Sequence, residues 1–205
     1  GAGKSTLMKV LTGITHKDSG TITFEGREVN FQSAREAQAA GVVIVHQELN
    51  MMGHLTVAQN IFIGREFKRG PFIDDKKMNA EARRLFEELN IDIDPKARMS
   101  SLTVGKQQMC EIAGIISKNA DIVILDEPTS ALDPELVGEV LQVMKDLDAE
   151  GMTQIIVTHE IKFAREIADR IIFMDEGRIV EEGTPEELFL NPKNERTRRF
   201  LEKIV

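Results

Sequence analysis

Apolar and polar positions along the chain follow two different periods. Unbroken apolar runs such as GVVIV and IVIL have the length of buried strands. Between residues 54 and 118 the apolar positions recur every three or four residues instead, and AEARRLFEELNI places Leu85, Phe86 and Leu89 on one helical face. The pattern predicts buried strands on either side of a helical segment.

The second half of the chain alternates strands with helices. DIVILDE and TQIIVTH are predicted strands, and DPELVGEVLQVMKDL between them is a predicted helix with Asp133 as its cap. FAREIADR predicts another helix, while RIIFMDEGRIVEEG predicts two strands about a turn, as GTITFEGREVNF does near the start. Apolar strands that alternate with helices indicate a parallel sheet covered on both faces.

We therefore expect an α/β fold in a single domain of 205 residues. Its parallel-sheet core comprises residues 1–50 and 119–205. Residues 51–118 are expected to form an inserted α-helical subdomain, because the helical stretch at 54–118 lies between predicted strands.

Composition narrows the classes of protein further. Hydrophobic residues make up 41% of the chain and charged residues 29%, and no apolar run approaches the about 18 residues of a membrane-spanning helix. Cys110 is the only cysteine, so an internal disulfide is excluded. The net charge is -8 and no basic stripe stands out, which argues against a nucleic-acid partner.

The first six residues, GAGKST, match the end of a phosphate-binding loop of pattern G-x-x-x-x-G-K-[ST]. In such a loop, backbone N–H groups at a helix N-terminus surround the β-phosphate, the lysine neutralises phosphate charge and the hydroxyl holds Mg²⁺. The match GKST also arises by chance, so it does not establish a nucleotide site alone. The candidate binding residues are Gly1, Ala2, Gly3, Lys4, Ser5 and Thr6.

Asp126 and Glu127 follow the apolar run IVIL, at the carboxyl end of a predicted strand. Ligands of open α/β sheets bind at that end. One carboxylate can hold Mg²⁺ through water while the next orients or deprotonates an attacking water. For this segment alone, solvated acids at a strand end are the simpler interpretation.

Further motifs occur in a fixed order around these two. LTVGKQQ (102–108) precedes the acidic strand, DEPTSALD (126–133) includes its end, Gln47 ends an earlier strand and His159 ends a later one. Together the series resembles the motifs of an ABC-type ATPase, namely Walker A, Q-loop, signature, Walker B, D-loop and switch histidine. The resemblance covers the whole chain and implies a P-loop NTPase (RecA-like) core that binds ATP and Mg²⁺.

The resemblance implies a role for each residue of the two phosphate-site motifs. Lys4 would bind the β- and γ-phosphates, and Ser5 would ligate Mg²⁺ with Thr6 beside it. Asp126 would support the same ion, and Glu127 would act as general base.

The remaining motifs add three residues. Gln47 would contact the metal and the attacking water and would link the site to the helical subdomain. His159 would contact the γ-phosphate, and Asp133, at the end of the D-loop, is grouped with the nucleotide-binding residues. A lone glutamine or histidine at a strand end is usually only hydrogen-bonded, so these roles depend on the ordered set.

The signature of such ATPases completes the nucleotide site of a second copy in a head-to-tail dimer, because a helix N-terminus with a hydroxyl can hold the γ-phosphate. Here the signature segment is residues 102–106, LTVGK. Thr103 keeps the hydroxyl and Gly105 the glycine, so both are candidate nucleotide-binding residues. Val104 replaces a glycine, as in sugar importers, and Lys106 replaces the usual glutamine.

The two parts of the chain resemble different relatives. Residues 1–125, with HQELNMMGHLTVAQNIFIGREF and LTVGKQQMCEIA, are similar to the first ATPase half of bacterial monosaccharide importers. Residues 126–205 are similar to the single-domain ATPases of polar amino-acid importers. A junction at DEPTSAL, by recombination or by misassembly of two genes, is therefore one hypothesis.

The resemblance points to the ATP-hydrolysing subunit of a bacterial importer, with a monosaccharide slightly preferred over a polar amino acid as the solute. Such a subunit pairs with a second ATPase domain, docks on membrane permease subunits at the cytoplasmic face of the inner membrane, and serves a periplasmic solute-binding protein indirectly. Two alternatives remain: a soluble ABC ATPase of DNA repair or translation, and an inactive truncated or chimeric fragment.

The resemblance also predicts weak ATP binding by the 205-residue chain itself. Members of the family place about forty residues before GAGKST, including the strand that leads into the loop and an aromatic residue that stacks on adenine. The chain contains neither Tyr nor Trp. We expect the purified chain to fold poorly and to bind ATP weakly or not at all; Mg²⁺-dependent binding at micromolar ATP in a titration would contradict this expectation.

Overall fold

A computed structural model describes residues 2–45, 51–118, 120–130, 132 and 134–203. Nine α-helices lie within these residues: Lys4–Leu11 (α1), Ala34–Ala39 (α2), Val57–Ile61 (α3), Asp75–Glu88 (α4), Val104–Ile116 (α5), Pro134–Ala149 (α6), Ile161–Ile167 (α7), Pro185–Leu190 (α8) and Glu195–Leu201 (α9). Residues Met99–Ser101 add one 3-10 turn.

The same residues contain nine strands: Ile22–Phe24 (β1), Arg27–Val29 (β2), Val42–Val45 (β3), Lys68–Arg69 (β4), Phe72–Ile73 (β5), Ile122–Asp126 (β6), Thr153–Val157 (β7), Ile171–Asp175 (β8) and Arg178–Gly183 (β9). β3, β6 and β7 form one sheet in that spatial order. β3 and β6 are parallel, and the six strands outside this sheet form three antiparallel hairpins, β1–β2, β4–β5 and β8–β9. The predicted α/β fold with a parallel sheet is confirmed.

The chain divides into two compact units. One comprises Gly1–Ala40 and Ile156–Val205, and the other is continuous, Gly41–Ile155. The second unit therefore contains the strands β3 and β6 together with the helices of the segment 51–118. The division into a core and a helical subdomain at residues 51 and 118 stays a prediction.

The core of the second unit is built on the paired strands β3 and β6. Val43 lies opposite Val123 and Val45 lies opposite Leu125, so the two apolar runs are in register. Val123, Ile124 and Leu125 are at most 1% exposed. Burial of each such side chain contributes about 1.5–3 kcal/mol relative to its exposure, which is why the continuous apolar runs form central strands.

Helix α5 packs against both the sheet and the neighbouring helices of this unit, with contacts to β3, α3 and α6. Its residues Met109 and Ile112 are buried, whereas Ile116 is half-buried. A Cβ added at Gly114 would lie 3.6 Å from the Cα of Ile61, an ordinary van der Waals distance, so α3 and α5 are in contact at this point.

The segment 54–118 is not helical throughout, and this part of the sequence interpretation is wrong. β4 and β5 form a hairpin between α3 and α4, and its turn contains Gly70 with φ +61° followed by Pro71. A glycine in the left-handed region and a proline disfavour a continuing helix, so the local turn chemistry overrides the surrounding helical period.

The first unit consists of α1, α2, two hairpins and the C-terminal helices. The predicted turns are confirmed: Glu25–Gly26 joins β1 to β2, and Glu176–Gly177 joins β8 to β9, all four residues having positive φ. Helix α9 is held against the second hairpin by ring contact between Phe200 and Phe173.

None of the helices in the described ranges is long and apolar enough to cross a membrane.

Candidate functional site

The carboxyl end of β6 carries the two acidic residues singled out by the sequence. Asp126 is the last residue of the strand and is 4% exposed, and Glu127 directly after it is half-buried. Because β3 runs parallel and Val45 pairs with Leu125, both strands end at the same edge of the sheet. This is the edge at which open α/β sheets bind ligands.

Glu127 has a left-handed backbone with φ +52°. Its carbonyl accepts a hydrogen bond from the N–H of Ser130 at 3.1 Å, and the carbonyl of Thr129 accepts one from Leu132 at the same distance. The chain thus turns sharply as it leaves the sheet. A residue other than glycine in this conformation is strained by about 1–2 kcal/mol, and such strain is concentrated at functional positions.

The candidate phosphate loop leads into α1. Gly3 has φ +80°, and its carbonyl accepts the N–H of Leu7 at 3.0 Å. The N–H groups of the first helical turn, those of Lys4, Ser5 and Thr6, therefore come before the first intrahelical bond and are directed to the helix N-terminus. That geometry and a lysine side chain suit a phosphate group.

The turn between β8 and β9 supports this loop, a contact that the sequence interpretation missed. The N–H of Gly177 donates to the carbonyl of Ala2 at 3.3 Å, and a Cβ on Gly3 would lie 3.3 Å from the Cα of Gly177. The loop and the turn are about 170 residues apart in sequence. The sequence around the turn does not predict this contact, because a glutamate–glycine turn is common to many hairpins.

The signature segment forms the start of α5. Thr103 is the N-cap, and its hydroxyl accepts the N–H of Lys106 at 3.4 Å. Gly105 is buried in the first turn, Val104 beside it is 43% exposed, and the ammonium group of Lys106 donates to the carbonyl of Asp92. The helix N-terminus is thus bordered by a hydroxyl and a cation, both suited to an anion.

The only thiol of the chain lies further along the same helix. Cys110 is fully buried, and burial raises the pKa of its thiol to about 12, with Lys106 acting weakly in the opposite direction. Because a thiolate is the nucleophilic form, Cys110 is a packing residue rather than a catalytic one.

His159 lies two residues beyond β7, and its side chain is exposed. The hydroxyl of Thr158 accepts the N–H of Glu160 at 2.9 Å, and the carbonyl of His159 accepts the N–H of Ile161 at 3.0 Å. These bonds fix the backbone around the imidazole at the start of α7.

Three other candidates, Gly1, Gln47 and Asp133, lie outside the described residues. Of the rest, Asp126, Glu127, Thr103 and Gly105 belong to the second unit, and Lys4, Ser5, Thr6 and His159 belong to the first.

The side chains of Ser5 and Asp126, each taken by itself, are of a type that binds Mg²⁺. The hydroxyl of Ser5, in the first unit, and the carboxylate of Asp126, in the second, are hard oxygen donors, which Mg²⁺ prefers. Across the part of the chain that the structure describes, no cluster of three or more histidine, cysteine or acidic residues could hold a metal by itself.

Comparison with known proteins identifies the family. Residues 1–130 match the ABC transporter family. A ribose/galactose/methyl galactoside import ATP-binding protein of Burkholderia cenocepacia is 46% identical over 182 residues, and the xylose import ATP-binding protein XylG of Geobacillus kaustophilus is 43% identical over 182 residues. Each match covers 88% of this chain, but the chain spans only 36% of the length of each relative.

Solved structures agree on the fold. The ADP conformation of MJ1267, an ATP-binding cassette of an ABC transporter, superposes with a TM-score of 0.80 at 23% identity and covers 97% of this chain and 84% of that one. A dimeric structure of the cassette MJ0796 bound to ADP and Pi superposes with a TM-score of 0.73 at 24% identity and covers 90% and 81%.

The likeness to sugar importers also crosses the hypothetical junction. An alignment of 182 residues is longer than residues 1–125, so it necessarily continues beyond DEPTSAL. A separate origin for residues 126–205 stays a prediction.

The left-handed backbone of Glu127 can be tested by comparing Glu127→Gly with Glu127→Ala. Both remove the carboxylate, but only alanine retains the strain of a Cβ, so we expect the glycine variant to be more stable by about 0.5–1 kcal/mol in urea unfolding. At Glu139, within α6, the same pair should show the opposite order by about 1 kcal/mol. Equal or greater stability of Glu127→Ala would contradict the left-handed conformation.

Proposed function

The chain belongs to the ABC transporter family, and from this premise we propose that it is the ATP-binding and ATP-hydrolysing part of a bacterial monosaccharide importer. The observation that carries the proposal is the arrangement at the end of β6, where a buried aspartate is followed by a glutamate held in a strained turn. A carboxylate pair at the ligand-binding edge of a parallel sheet suits metal-assisted attack of water on a phosphate.

The start of α1 would bind the phosphates of ATP. The N–H groups at its N-terminus and the ammonium group of Lys4 would hold the β- and γ-phosphates of ATP, and Ala2 and Gly3 would bring the backbone close to them. Ser5 and Asp126 would hold Mg²⁺, which neutralises charge on the phosphates when bound.

Hydrolysis requires a water molecule in line with the γ-phosphorus. Glu127 would accept a proton from this water as its oxygen bonds to phosphorus, while the bond from phosphorus to the β-phosphate oxygen breaks. His159, exposed at the start of α7, would donate to the γ-phosphate and stabilise its developing charge. Gln47 would orient the same water, and Asp133 would act beside the nucleotide.

A second ATPase domain would complete each site. The hydroxyl of Thr103 and the N-terminal turn of α5 at Gly105 have the geometry to hold a γ-phosphate presented by another copy. The dimeric form of MJ0796 offers a precedent for such pairing in this fold. ATP bound between two domains would thus favour association, and its hydrolysis would favour separation.

We propose a monosaccharide as the solute because the relatives of highest identity reported above import ribose, galactose, methyl galactoside or xylose. The permease subunits, the periplasmic solute-binding protein and a location at the cytoplasmic face of the membrane follow from the same proposal. The segment HQELNMMGHLTVAQNIF (46–62) would form part of the permease-docking surface, and in its described part, residues 51–62, Met52 is nearly half-exposed.

If Glu127 is the general base, Glu127→Gln should reduce ATP hydrolysis and leave ATP binding nearly unchanged. In the protein expressed from its complete reading frame, phosphate release should fall at least about 100-fold because the proton acceptor is gone, whereas Mg²⁺-dependent ATP affinity should stay within about threefold. Lys4→Ala should instead weaken ATP binding, since the phosphate charge is no longer neutralised.

The matched control is Glu139→Gln, an exposed glutamate on α6 whose loss should leave both quantities unchanged. Hydrolysis by Glu127→Gln at the unsubstituted rate would exclude Glu127 as the general base. Absence of ATP binding by the unsubstituted protein would overturn the proposed function as a whole.

If the solute is a monosaccharide, a strain that lacks the gene should lose monosaccharide uptake. Uptake of at least one radiolabelled pentose or hexose among ribose, galactose and xylose should fall to background, and the unsubstituted gene should restore it whereas the Glu127→Gln variant should not. Uptake of histidine and glutamine should be unaffected. Loss of amino-acid uptake with normal sugar uptake would contradict the assignment.

A further inference from the structure

A buried asparagine fastens the loop before α3 to that helix. The side-chain carbonyl of Asn60 accepts the N–H of Met52 at 2.7 Å, and its amide donates to the carbonyls of Met52 at 3.0 Å and Thr56 at 2.9 Å. Asn60 is 6% exposed, so these bonds are shielded from water. Residues 52–56, here called the docking loop, therefore move together with α3.

Arg65 joins the C-terminal end of α3 to α5 through hydrogen bonds. One terminal nitrogen of its guanidinium group donates to the carbonyl of Ser117 at 3.1 Å, and the other donates to the Ser117 hydroxyl at 2.8 Å, the Ile61 carbonyl at 3.1 Å and the Gly114 carbonyl at 3.4 Å. The group also lies 5.8 Å from the centre of the Phe62 ring. The planar, five-donor fork of arginine can thus bind carbonyls of both segments at once.

The position of Arg65 is electrostatically favourable for α5. Its charge lies at the last turn of that helix, where the exposed carbonyls carry partial negative charge. Burial lowers the pKa of the Arg65 guanidinium and, together with the charge of Arg65, lowers the pKa of Lys118. The guanidinium of Arg65 is thus the cation that binds the carbonyl end of α5 directly.

The opposite end of α5 is the signature segment. The helix has 13 residues and is therefore about 20 Å long, with Thr103 at its N-cap and the Arg65 partners Gly114 and Ser117 at its C-terminal end. An α-helix is stiff along its axis, so a displacement or rotation imposed at one end reaches the other. The close approach of α3 and α5 at Gly114 adds a second point of contact.

We propose that Arg65 is a positioning residue that couples the docking loop to the signature end of α5, with Asn60 joining the loop to α3 and Arg65 joining α3 to α5. The proposal rests on the function proposed above, in which the docking loop contacts a permease and Thr103 contacts the nucleotide of a second domain. A movement of the loop is transmitted to Thr103 through these two polar contacts and the helix between them.

The experiment compares Arg65→Gln with Arg84→Gln in the full-length protein assembled with its permease. Both remove a guanidinium group from the same unit, but Arg84 is exposed on α4 and its ion pairs within the described residues are with Glu81 and Glu88 of its own helix. For Arg65→Gln we expect permease-stimulated kcat to fall about tenfold, with the KM for ATP and the number of ATP molecules bound per chain unchanged. Arg84→Gln should match the unsubstituted protein.

The number of ATP molecules bound per chain distinguishes a folded variant with a misplaced α5 from an unfolded variant, because unfolded protein binds no ATP. A stimulated kcat within twofold of the unsubstituted value would overturn the proposal, and so would a loss of bound ATP in proportion to the loss of kcat. Inactivity of the unsubstituted complex would overturn the proposed function instead, so the two failures are distinguishable.

Two milder variants keep the test decisive if Arg65→Gln does not fold. Ser117→Ala removes one acceptor of Arg65 and should lower stimulated kcat about two- to threefold. Arg65→Lys keeps the charge but cannot span both helices, so its kcat should lie between those of Arg65→Gln and the unsubstituted protein. Unchanged kcat in both variants would overturn the proposal.

Discussion

The parallel pairing of β3 with β6 is the constraint on which the rest of the second unit depends. Four residue pairs from Val42↔Ile122 to Val45↔Leu125 align two apolar runs, and burial of these runs places both strands inside the unit. That register determines where β6 ends. Asp126 is therefore buried at the edge of the sheet, and the turn that follows begins at Glu127.

Helix α5 lies between this sheet and the other helices of the same unit and contacts both. It packs against β3, α3 and α6, and its two ends have different polar roles. At the N-terminus, Thr103 caps the helix and presents a hydroxyl, whereas at the C-terminus Arg65 binds its last carbonyls. One rigid element thus carries the candidate signature contact at one end and the link to α3 at the other.

Three residues to which we assign functions combine polar groups with burial or with a left-handed backbone. Glu127 has a left-handed conformation that glycine would adopt at less cost, and Asn60 and Arg65 place polar groups in the packed helical region. The Ser130 N–H bond stabilises the turn, and backbone carbonyls accept hydrogen bonds from Asn60 and from the terminal nitrogens of Arg65, whereas the buried Nε of Arg65 has no hydrogen-bond partner among the described residues.

The sequence alone determined the α/β class, the positions of the apolar strands and the ordered motifs, because burial, periodicity and short phosphate-binding patterns are local properties of the chain. It did not determine the hairpin at Lys68–Ile73, where a glycine–proline turn interrupts a helical period, nor the contact of Gly177 with the loop at Ala2. The tertiary structure also decided that Arg65, a single basic residue in the apolar run NIFIGREF, binds carbonyls 49 and 52 residues away. Such contacts depend on which backbone groups the fold brings together, and no local pattern of side chains encodes that distance.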